Sequence, residues 1–339
     1  MTVDWRIYRG TGQVAPSPIT ALPQPPPWRR FTGDGFATRP NGDSGETARR
    51  IGTAAGRRHL STPHEIAMVN AALYLRRPLL VTGRPGTGKS SLAYLIATEL
   101  GLGPVLRWGI TSRTTLIEGL YNYDAIGRVQ AAGSRRGHEP DIGDFVHLGA
   151  LGTALLPYEV PRVLLVDELD KGDIDLPNDL LSVFEDGEYE IPELVRIAKQ
   201  QPEVTVFTHD KRGSAVIGDG WVQCRAFPVV IITSNGEREF PPAFLRRCLQ
   251  LHLSPPGSEQ LAAMVAAQFG GAAERVDVAR LISEFLERSE AVGGLAADQL
   301  LNAVHLASEL ATSGAYQPDE EWNELMRAIW HPLSTAEPG

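Results

Sequence analysis

The chain has 339 residues, 42% of them hydrophobic and 22% charged, a composition typical of a soluble globular protein with room for two or three domains. Its formal net charge of −9 argues against non-specific binding to nucleic acid or to anionic membranes. Because Cys224 and Cys248 are its only cysteines and no apolar run approaches the roughly 20 residues of a membrane span, we expect a cytoplasmic protein without a disulfide scaffold, zinc site or membrane segment.

Residues 1–58 differ from the rest of the chain in composition. Six prolines lie between Pro16 and Pro27, residues 32–56 are rich in Gly, Asp, Ser and Thr, and the segment lacks apolar periodicity. This composition is typical of a disordered or loosely packed leader. Aromatic residues beside the prolines, such as Trp28, leave open a second interpretation, an arm that docks on a partner.

The folded part is predicted to begin at residue 59. Thr62, Pro63 and Glu65 have the spacing of an N-cap, a first-turn proline and a capping glutamate, which predicts a helix. An apolar run at 79–82 is typical of a buried strand, and residues 91–100 have helical spacing. The pattern Gly-x-x-x-x-Gly-Lys-Ser lies between this strand and this helix, in the context that a phosphate site requires.

The glycine-rich turn at 83–90 therefore predicts a phosphate-binding loop. Its glycines let backbone N–H groups point at phosphate oxygens, and the N-terminus of the following helix adds positive potential. Lys89 can reach the β- and γ-phosphates of a nucleotide, and the Ser90 hydroxyl can ligate Mg²⁺. The residues expected to bind the nucleotide here are Gly83, Pro85, Gly86, Thr87, Gly88, Lys89, Ser90 and Ser91.

A second strand is predicted at 105–108, after which residues 111–160 are irregular. The Gly- and Arg-rich run at 127–143 predicts a long surface excursion. Its basic residues could line a pore or hold a partner, or they could simply form a solvated loop: Arg128, Arg135, Arg136 and His138.

A third apolar strand, at 163–168, ends in two acidic residues, Asp167 and Glu168. Fully buried parallel strands are unbroken apolar runs, and their carboxyl ends face the ligand crevice. Asp167 is therefore predicted to lie beside the phosphates and to hold Mg²⁺ with Ser90, and Glu168 to polarise an attacking water. The alternative is a pair of solvated acids that end a strand, which the phosphate loop upstream disfavours.

A helix at 176–185 and a β-rich insertion around 189–227 precede the next buried strand, at 229–233. Asn235 follows that strand. Its side chain could orient the lytic water or contact the γ-phosphate, or it could form a turn with Gly236.

A short helix at 242–247 contains two adjacent arginines. Arg247, in preference to Arg246, could reach a neighbouring subunit's γ-phosphate as an arginine finger does. The alternative is a solvated basic helix end.

A fifth strand at 249–253 leads to a Pro-Pro-Gly boundary at 255–257, beyond which only helical patterns occur. Strands alternating with helices, and then helices alone, predict an α/β domain at 59–254 and a helical domain with a C-terminal tail at 255–339.

In their order and spacing, the motifs at 83–90, 163–171, 233–235 and 244–248 resemble those of the AAA+ ATPases. The Asp-Glu-Leu-Asp-Lys sequence from Asp167 is similar to that of the MoxR branch, and the insertion resembles the pre-sensor β-hairpin of that wider clade. The resemblance implies a P-loop NTPase with a five-stranded parallel sheet in the order 5-1-4-3-2, flanked by helices, and a small α-helical lid. It also implies binding and hydrolysis of ATP with Mg²⁺, assembly into a ring, with a hexamer favoured, and chaperone-like action on a protein partner, for example a von Willebrand A-domain protein.

The lid of this family often carries an arginine early in a helix, whereas the corresponding stretch here, 293–299, has none. Hydrolysis could therefore be slow or partner-dependent, or the lid could be coupled to the nucleotide through another group. The alternative function is an ATP-dependent assembly switch that signals to an effector in a bacterial regulatory or conflict system. A small-molecule kinase, for which neither an acceptor pocket nor lid arginines are evident, and a GTP-specific or nucleic-acid-translocating relative are further alternatives.

Overall fold

The computed structural model describes residues 4–14, 19–40, 45–53, 61–134, 140–270, 276–313 and 320–332. Arg135, Arg136 and His138 of the basic run lie outside the described residues. The strands are β1 (Leu79–Thr82), β2 (Leu106–Gly109), β3 (Tyr121–Tyr123), β4 (Val146–Leu148), β5 (Val163–Asp167), β6 (Glu188–Glu190), β7 (Glu203–Phe207), β8 (Ser214–Gly218), β9 (Trp221–Gln223), β10 (Val229–Ser234) and β11 (Leu249–His252). The helices are α1 (Glu46–Ile51), α2 (Pro63–Leu75), α3 (Lys89–Leu100), α4 (Leu116–Leu120), α5 (Ala125–Ser134), α6 (Ala150–Ala154), α7 (Leu176–Asp186), α8 (Pro192–Val195), α9 (Pro242–Leu245), α10 (Ser258–Phe269), α11 (Val278–Ala291), α12 (Ala297–Ser313) and α13 (Glu320–Ile329).

A five-stranded sheet forms the centre of the α/β region. Its order is β11-β1-β10-β5-β2, and every neighbouring pair is parallel. Counted along the chain within this sheet, the order is 5-1-4-3-2, which confirms the expected topology. Since the strands are parallel and in register, the carboxyl ends of β1, β5 and β10 meet at one edge.

Alternate residues of the central strands face two separate cores. Leu164 and Val166 of β5 pack with α6 and α7 on one face, whereas Val163 and Leu165 pack with α3 on the other. All five residues of β5 are buried, as expected for a strand covered by helices on both faces. Burying each such leucine or valine side chain contributes about 1.5–3 kcal/mol to folding, so the strand that ends in Asp167 is firmly placed.

A second sheet of six strands, in the order β3-β4-β7-β8-β9-β6, packs beside the central sheet. The antiparallel β7–β8 pair confirms the hairpin expected in the insertion. The segment predicted as a surface excursion at 127–143 is largely exposed over its first part, as expected, but it is helical there rather than irregular, because α5 covers Ala125–Ser134. Asp124 stabilises the start of this helix: its carboxylate accepts a hydrogen bond from the Gly127 backbone N–H at 2.8 Å.

The described part of the N-terminal segment packs along the α/β region. Tyr8 is fully buried, and its backbone N–H and C=O both bond to the side chain of Asn70 in α2. Glu99 of α3 accepts hydrogen bonds from the backbone N–H groups of Arg9, at 2.5 Å, and Thr11, at 2.7 Å. Hydrogen bonds to Asn70 and Glu99 thus connect these described residues to α2 and α3, and the interpretation of 1–58 as a leader stays a prediction. Many of these contacts are made by backbone atoms, which all residue types share. Such contacts therefore do not require apolar residues at regular intervals, and the sequence shows no apolar periodicity here.

The interpretation of 1–58 as a partner-docking arm stays a prediction. Trp28 is 79% exposed, while its neighbour Arg29 is buried and donates a hydrogen bond to the Phe184 carbonyl. Helix α1 then packs against both α3 and α10: the Tyr94 hydroxyl donates to Glu46, and Thr53 N–H donates to the Ala267 carbonyl at 2.9 Å. The N-terminal segment thus joins the α/β region to the helical region.

Helices α10 to α13 form the C-terminal helical region with a core of its own. Leu261, Leu300, Val304 and Trp322 are buried in it. In the part of the chain that the structure describes, none of the helices combines the length and the hydropathy needed to cross a membrane.

Candidate functional site

The loop between β1 and α3 has the geometry expected of a phosphate loop. Gly83 and Gly86 have φ angles of +152° and +76°, in the range that favours glycine. A Cβ on Gly83 would lie 2.5 Å from the Leu253 carbonyl oxygen, so the loop packs too closely for a side chain there. Lys89 begins α3, which places the N-terminus of a twelve-residue helix directly after the loop.

The ammonium of Lys89 lies inside this loop. It is 7% exposed, and its Nζ donates to the carbonyls of Gly83 and Arg84, both at 2.8 Å. Burial lowers the pKa of Lys89 below its ordinary value, although the nearby carboxylates of Asp170 and Glu168 oppose that shift. An ammonium has three N–H donors, so one remains for a bound anion.

The structure brings the two residues predicted to hold Mg²⁺ together. The Ser90 hydroxyl donates to Asp167 Oδ1 at 2.6 Å, and the Thr233 hydroxyl donates to the same oxygen at 2.9 Å. Burial by itself would raise the pKa of Asp167, but hydrogen bonds from Ser90, Arg107 and Thr233 outweigh it and hold the pKa below its ordinary value. Asp167 is therefore a carboxylate over the whole physiological range.

The second carboxylate oxygen of Asp167 is held by Arg107 of β2. The guanidinium donates to Asp167 Oδ2 through Nη2 at 2.7 Å and through Nε at 3.0 Å. In the register of the sheet, Gly109 lies opposite Asp167 and Arg107 opposite Leu165, so the long arginine side chain reaches forward along the strand. The sequence interpretation missed this ion pair, for which the only available signal was a charged residue within a short predicted strand.

Hydroxyl and carboxylate oxygens are ligands that Mg²⁺ prefers, so Ser90 and Asp167 fit such an ion together with water and phosphate oxygens. Within the described ranges, no three or more His, Cys, Asp and Glu side chains cluster in a way that could hold a metal ion.

Glu168, next to Asp167, has a backbone conformation that non-glycine residues rarely adopt, with φ 62° and ψ 51°. Its Oε2 accepts a hydrogen bond from Lys171 at 2.8 Å, and its Oε1 lies 3.4 Å from Asn235 Nδ2. Its backbone N–H donates to the Thr233 hydroxyl at 2.8 Å. The Glu168 carboxylate thus lies beside the side chain of Asn235, at the end of the adjacent strand.

Asn235 is positioned by a buried carboxylate that the sequence interpretation did not assign. Asp170 is 3% exposed, and its Oδ2 accepts the backbone N–H groups of Asn235 at 2.9 Å and Glu237 at 3.1 Å. The Asn235 side chain is left to face Glu168 and Glu237 rather than to close a simple turn. The sequence signal for Asp170 was its place in the same acidic motif as Asp167.

Arg247 lies away from the chain's own site. Its Nε donates to Glu185 Oε1 at 2.7 Å, and it is half-buried, whereas the neighbouring Arg246 is exposed. Helix α9 ends at Leu245, two residues before the predicted end. The proposed action of Arg247 on a neighbouring subunit stays a prediction.

The phosphate loop opens into a cavity of about 490 Å³ between the α/β region, α1 and the helical region. Of the predicted site residues, those that line it are Pro85, Gly86, Thr87, Gly88, Lys89, Ser90, Ser91, Glu168 and Asn235. The helical region contributes Met264, Ala297, Asp298 and Leu301 among others, and none of its described lining residues is basic. We call the helical region the lid, and the part of it that lines the cavity the lid wall. The sequence has no arginine at 293–299, and the described residues of the lid wall likewise include no arginine.

A family model described as AAA domain (dynein-related subfamily) matches residues 78–248, half of the chain. A search of curated proteins finds no match. Among solved structures, a RuvB variant from Thermotoga maritima is similar at 17% identity with a TM-score of 0.41; the match covers 78% of this chain and 66% of that one. NtrX from Brucella abortus, solved in complex with ADP, is also 17% identical, with a TM-score of 0.35 and coverage of 72% and 48%. The chain thus spans less than two thirds of either neighbour.

Proposed function

The chain belongs to the AAA domain family, in its dynein-related subfamily, and from this membership we propose that it binds ATP with Mg²⁺ and hydrolyses it. One observation carries the proposal. The Ser90 hydroxyl and the Asp167 carboxylate meet at 2.6 Å beside the buried Lys89, and Glu168 and Asn235 lie 3.4 Å apart in the wall of the adjoining cavity. Residues from three separate strand ends therefore converge where the terminal phosphates would lie.

Each of these residues has a role that its surroundings support. Backbone N–H groups of 83–90 and the start of α3 would hold the phosphates, and Lys89 would contribute its remaining N–H donor. Glu168, at the rim of the cavity, would accept the proton of the attacking water. Asn235, fixed through its backbone by Asp170, would orient that water or contact the γ-phosphate.

Ser90 and Asp167 would hold the magnesium ion, which neutralises charge on the phosphates when it is bound. Arg107 and Thr233 fix the Asp167 carboxylate in place, so its position does not depend on the ion. The preference for ATP over GTP comes from the family alone.

We further propose a MoxR-like ring, with a hexamer favoured, in which Arg247 completes the site of a neighbouring subunit. To reach a neighbouring subunit, Arg247 would have to break its ion pair with the exposed Glu185. An exposed ion pair of this kind contributes only about 0–1 kcal/mol to stability, so breaking it costs little. The order of motifs and the β7–β8 hairpin before β10 support a remodeller that acts on a protein partner, such as a von Willebrand A-domain protein.

A second candidate function is an ATP-dependent assembly switch with slow hydrolysis that signals to an effector. Two observations favour it: the described lid wall of the cavity carries Asp298 and no basic side chain, and Glu168 is engaged by Lys171. An enzyme built for rapid turnover needs a free general base and stabilising charges on the γ-phosphate.

The Glu168→Gln variant tests the proposal, with Glu203→Gln, an exposed glutamate of β7, as the matched control. We expect Glu168→Gln to retain ATP affinity and to lose turnover by about 10²–10⁴-fold, because the amide cannot accept the proton of water. Binding is measured by titration with a fluorescent ATP analogue and turnover by phosphate release.

Equal turnover in Glu168→Gln and wild type would contradict the role of Glu168, and absence of ATP binding by wild type would contradict the proposed function. The rate of turnover in wild type, compared with ATP-driven assembly measured by light scattering, separates the two candidates. A switch would assemble on ATP binding in both proteins and turn over slowly in wild type.

A further inference from the structure

Among the described residues, the lid wall of the cavity offers no cation to the phosphates, yet the lid touches the phosphate loop directly. A Cβ built on Gly86 would lie 2.5 Å from Ala296 Cα and 3.0 Å from the backbone nitrogen of Ala297. The segment 292–296, which we call the lid loop, therefore rests on the phosphate loop, backbone against backbone. A shift of one loop must displace the other, since the side-chain atom nearest this contact is the methyl group of Ala296, also 2.5 Å from the Gly86 Cβ position, which has no rotamer freedom to absorb it.

One side chain crosses from the phosphate loop to the lid loop. Arg84 Nη1 donates to the Gly293 carbonyl at 2.6 Å, and the same atom lies 3.2 Å from the position of a Cβ on Gly294. Gly294 has a φ of +130°, so the lid loop takes a conformation there that admits the guanidinium and disfavours a side chain. The bond is charge-assisted and short, and therefore stronger than a neutral hydrogen bond.

The backbone of Arg84 is bound to Lys89 at the same time. The Arg84 carbonyl accepts hydrogen bonds from Lys89 Nζ at 2.8 Å and from the Thr87 hydroxyl at 2.9 Å. Two of the three N–H donors of Lys89 are thus committed to loop carbonyls, those of Gly83 and Arg84. A phosphate that draws the remaining N–H donor of Lys89 towards it shifts the ammonium, and this shift changes the geometry of its bond to the Arg84 carbonyl.

We propose that Arg84 is the residue that couples the lid to the nucleotide, in place of an arginine on the lid. Two hydrogen bonds, Lys89 Nζ to the Arg84 carbonyl and Arg84 Nη1 to the Gly293 carbonyl, are joined through the covalent framework of Arg84 and connect the phosphate site to the lid loop. Occupation of the site changes the bond at one end, and the guanidinium transmits that change to the other. Arg84 acts through Lys89 and the lid loop, so it is a positioning residue. The inference rests on the proposed function as an ATPase.

The test compares Arg84→Ala and Arg84→Lys with Arg327→Ala, which removes an exposed arginine of α13 that lies apart from the cavity. Lid position is followed by energy transfer between dyes on Lys199→Cys, in the second-sheet region, and Asn323→Cys, in α13; both sites are exposed, whereas Cys224 and Cys248 are buried. ATP affinity and turnover are measured on the same proteins, and circular dichroism melts confirm that each variant is folded.

Arg84→Ala is expected to keep ATP affinity within about threefold, to lose most of the ATP-dependent change in energy transfer, and to turn over about tenfold more slowly, the effect of one charge-assisted hydrogen bond. Arg84→Lys, which can still donate to Gly293, should recover part of both losses. Arg327→Ala should match wild type.

The proposal is overturned if Arg84→Ala shows the wild-type change in energy transfer, or if wild type binds ATP with no such change. It is also overturned if Arg84→Ala loses affinity and turnover in the same proportion, because that result would make Arg84 a binding residue alone. Failure of wild type to bind or hydrolyse ATP would instead contradict the proposed function on which the inference rests.

Discussion

The two walls of the cavity differ in their chemistry. The α/β wall brings Lys89, Glu168 and Asn235 together, each held by hydrogen bonds from neighbouring strands or loops. The described part of the lid wall is apolar apart from a few neutral amides and the acidic Asp298. The difference indicates that the reactive groups belong to one region and that the lid covers them. The contacts between the lid and the phosphate loop, together with those of α1 with α3 and α10, are then the routes by which the lid can influence the reaction.

The largest effects are expected when two variants of the α/β region, Lys89→Ala and Arg247→Ala, are mixed so that each subunit carries only one of the substitutions. Lys89→Ala should lower ATP affinity by about 100-fold, since a buried charged donor is lost, and Arg247→Ala should lower turnover by about 10³-fold. Mixed in equal amounts and assembled, the two variants should recover about a quarter of wild-type turnover, because some shared sites then combine an intact lysine with an intact arginine.

Phosphate release by the mixture is compared with that of each variant alone. A mixture no more active than its parts, under conditions in which wild type assembles, would show that Arg247 serves only its own chain. The pair with Glu185 would then be its whole role.

A smaller contrast compares one residue from each wall. Asn235→Ala removes the side chain that faces Glu168 and should reduce kcat by about 10–100-fold with little change in KM. Asp298→Ala, on the lid, should change kcat by less than about twofold, since an exposed acid stabilises no developing charge on phosphate. Steady-state kinetics of both variants check the contrast. A larger effect from Asp298 than from Asn235 would contradict the division of roles between the walls.

The smallest expected effect concerns stability in acid. Hydrogen bonds from Ser90, Arg107 and Thr233 hold the pKa of Asp167 below its ordinary value despite burial. The carboxylate therefore stabilises the fold above the pKa of a free aspartate, about 3.9, and this contribution is lost as the pH falls through the lowered value.

Urea unfolding at about pH 7 and about pH 3 should therefore show a larger loss of stability on acidification in wild type than in Asp167→Asn. The isosteric amide has no charge to lose. Equal losses in the two proteins would show that the partners of Asp167 do not favour its charged form in the folded state.

Much of this site could be predicted from sequence because its signals are local. The apolar runs of β1, β5 and β10 were each placed within one residue, and in parallel strands the residues that follow them must share an edge. Arg107 could not be found in this way. Its bond to Asp167 joins strands 60 positions apart and depends on sheet register, which no short motif records.

Other parts of the fold were missed for a different reason. Helix α5 has Ile126 and Val129 on its exposed side, so its apolar residues do not mark a buried face, and its glycines and arginines suggested a loop. The Arg84 link to the lid escaped notice because it joins a side chain to a backbone carbonyl 209 residues away. Contacts to backbone carry no residue-type signature at the accepting end.

The hydrogen bonds of Asn70 and Glu99 to the N-terminal segment determine which positions of that segment tolerate substitution. Both side chains accept hydrogen bonds from backbone N–H groups within residues 7–12, and every amino acid except proline has such a group. The other identities along that stretch are free to drift, provided that the fully buried Tyr8, Gly10, whose Cβ would collide with Ser61, and Gly12, with its φ of +67°, are kept. The two anchoring residues have no such freedom. Divergent homologues could therefore share this N-terminal structure although their sequences in the segment differ.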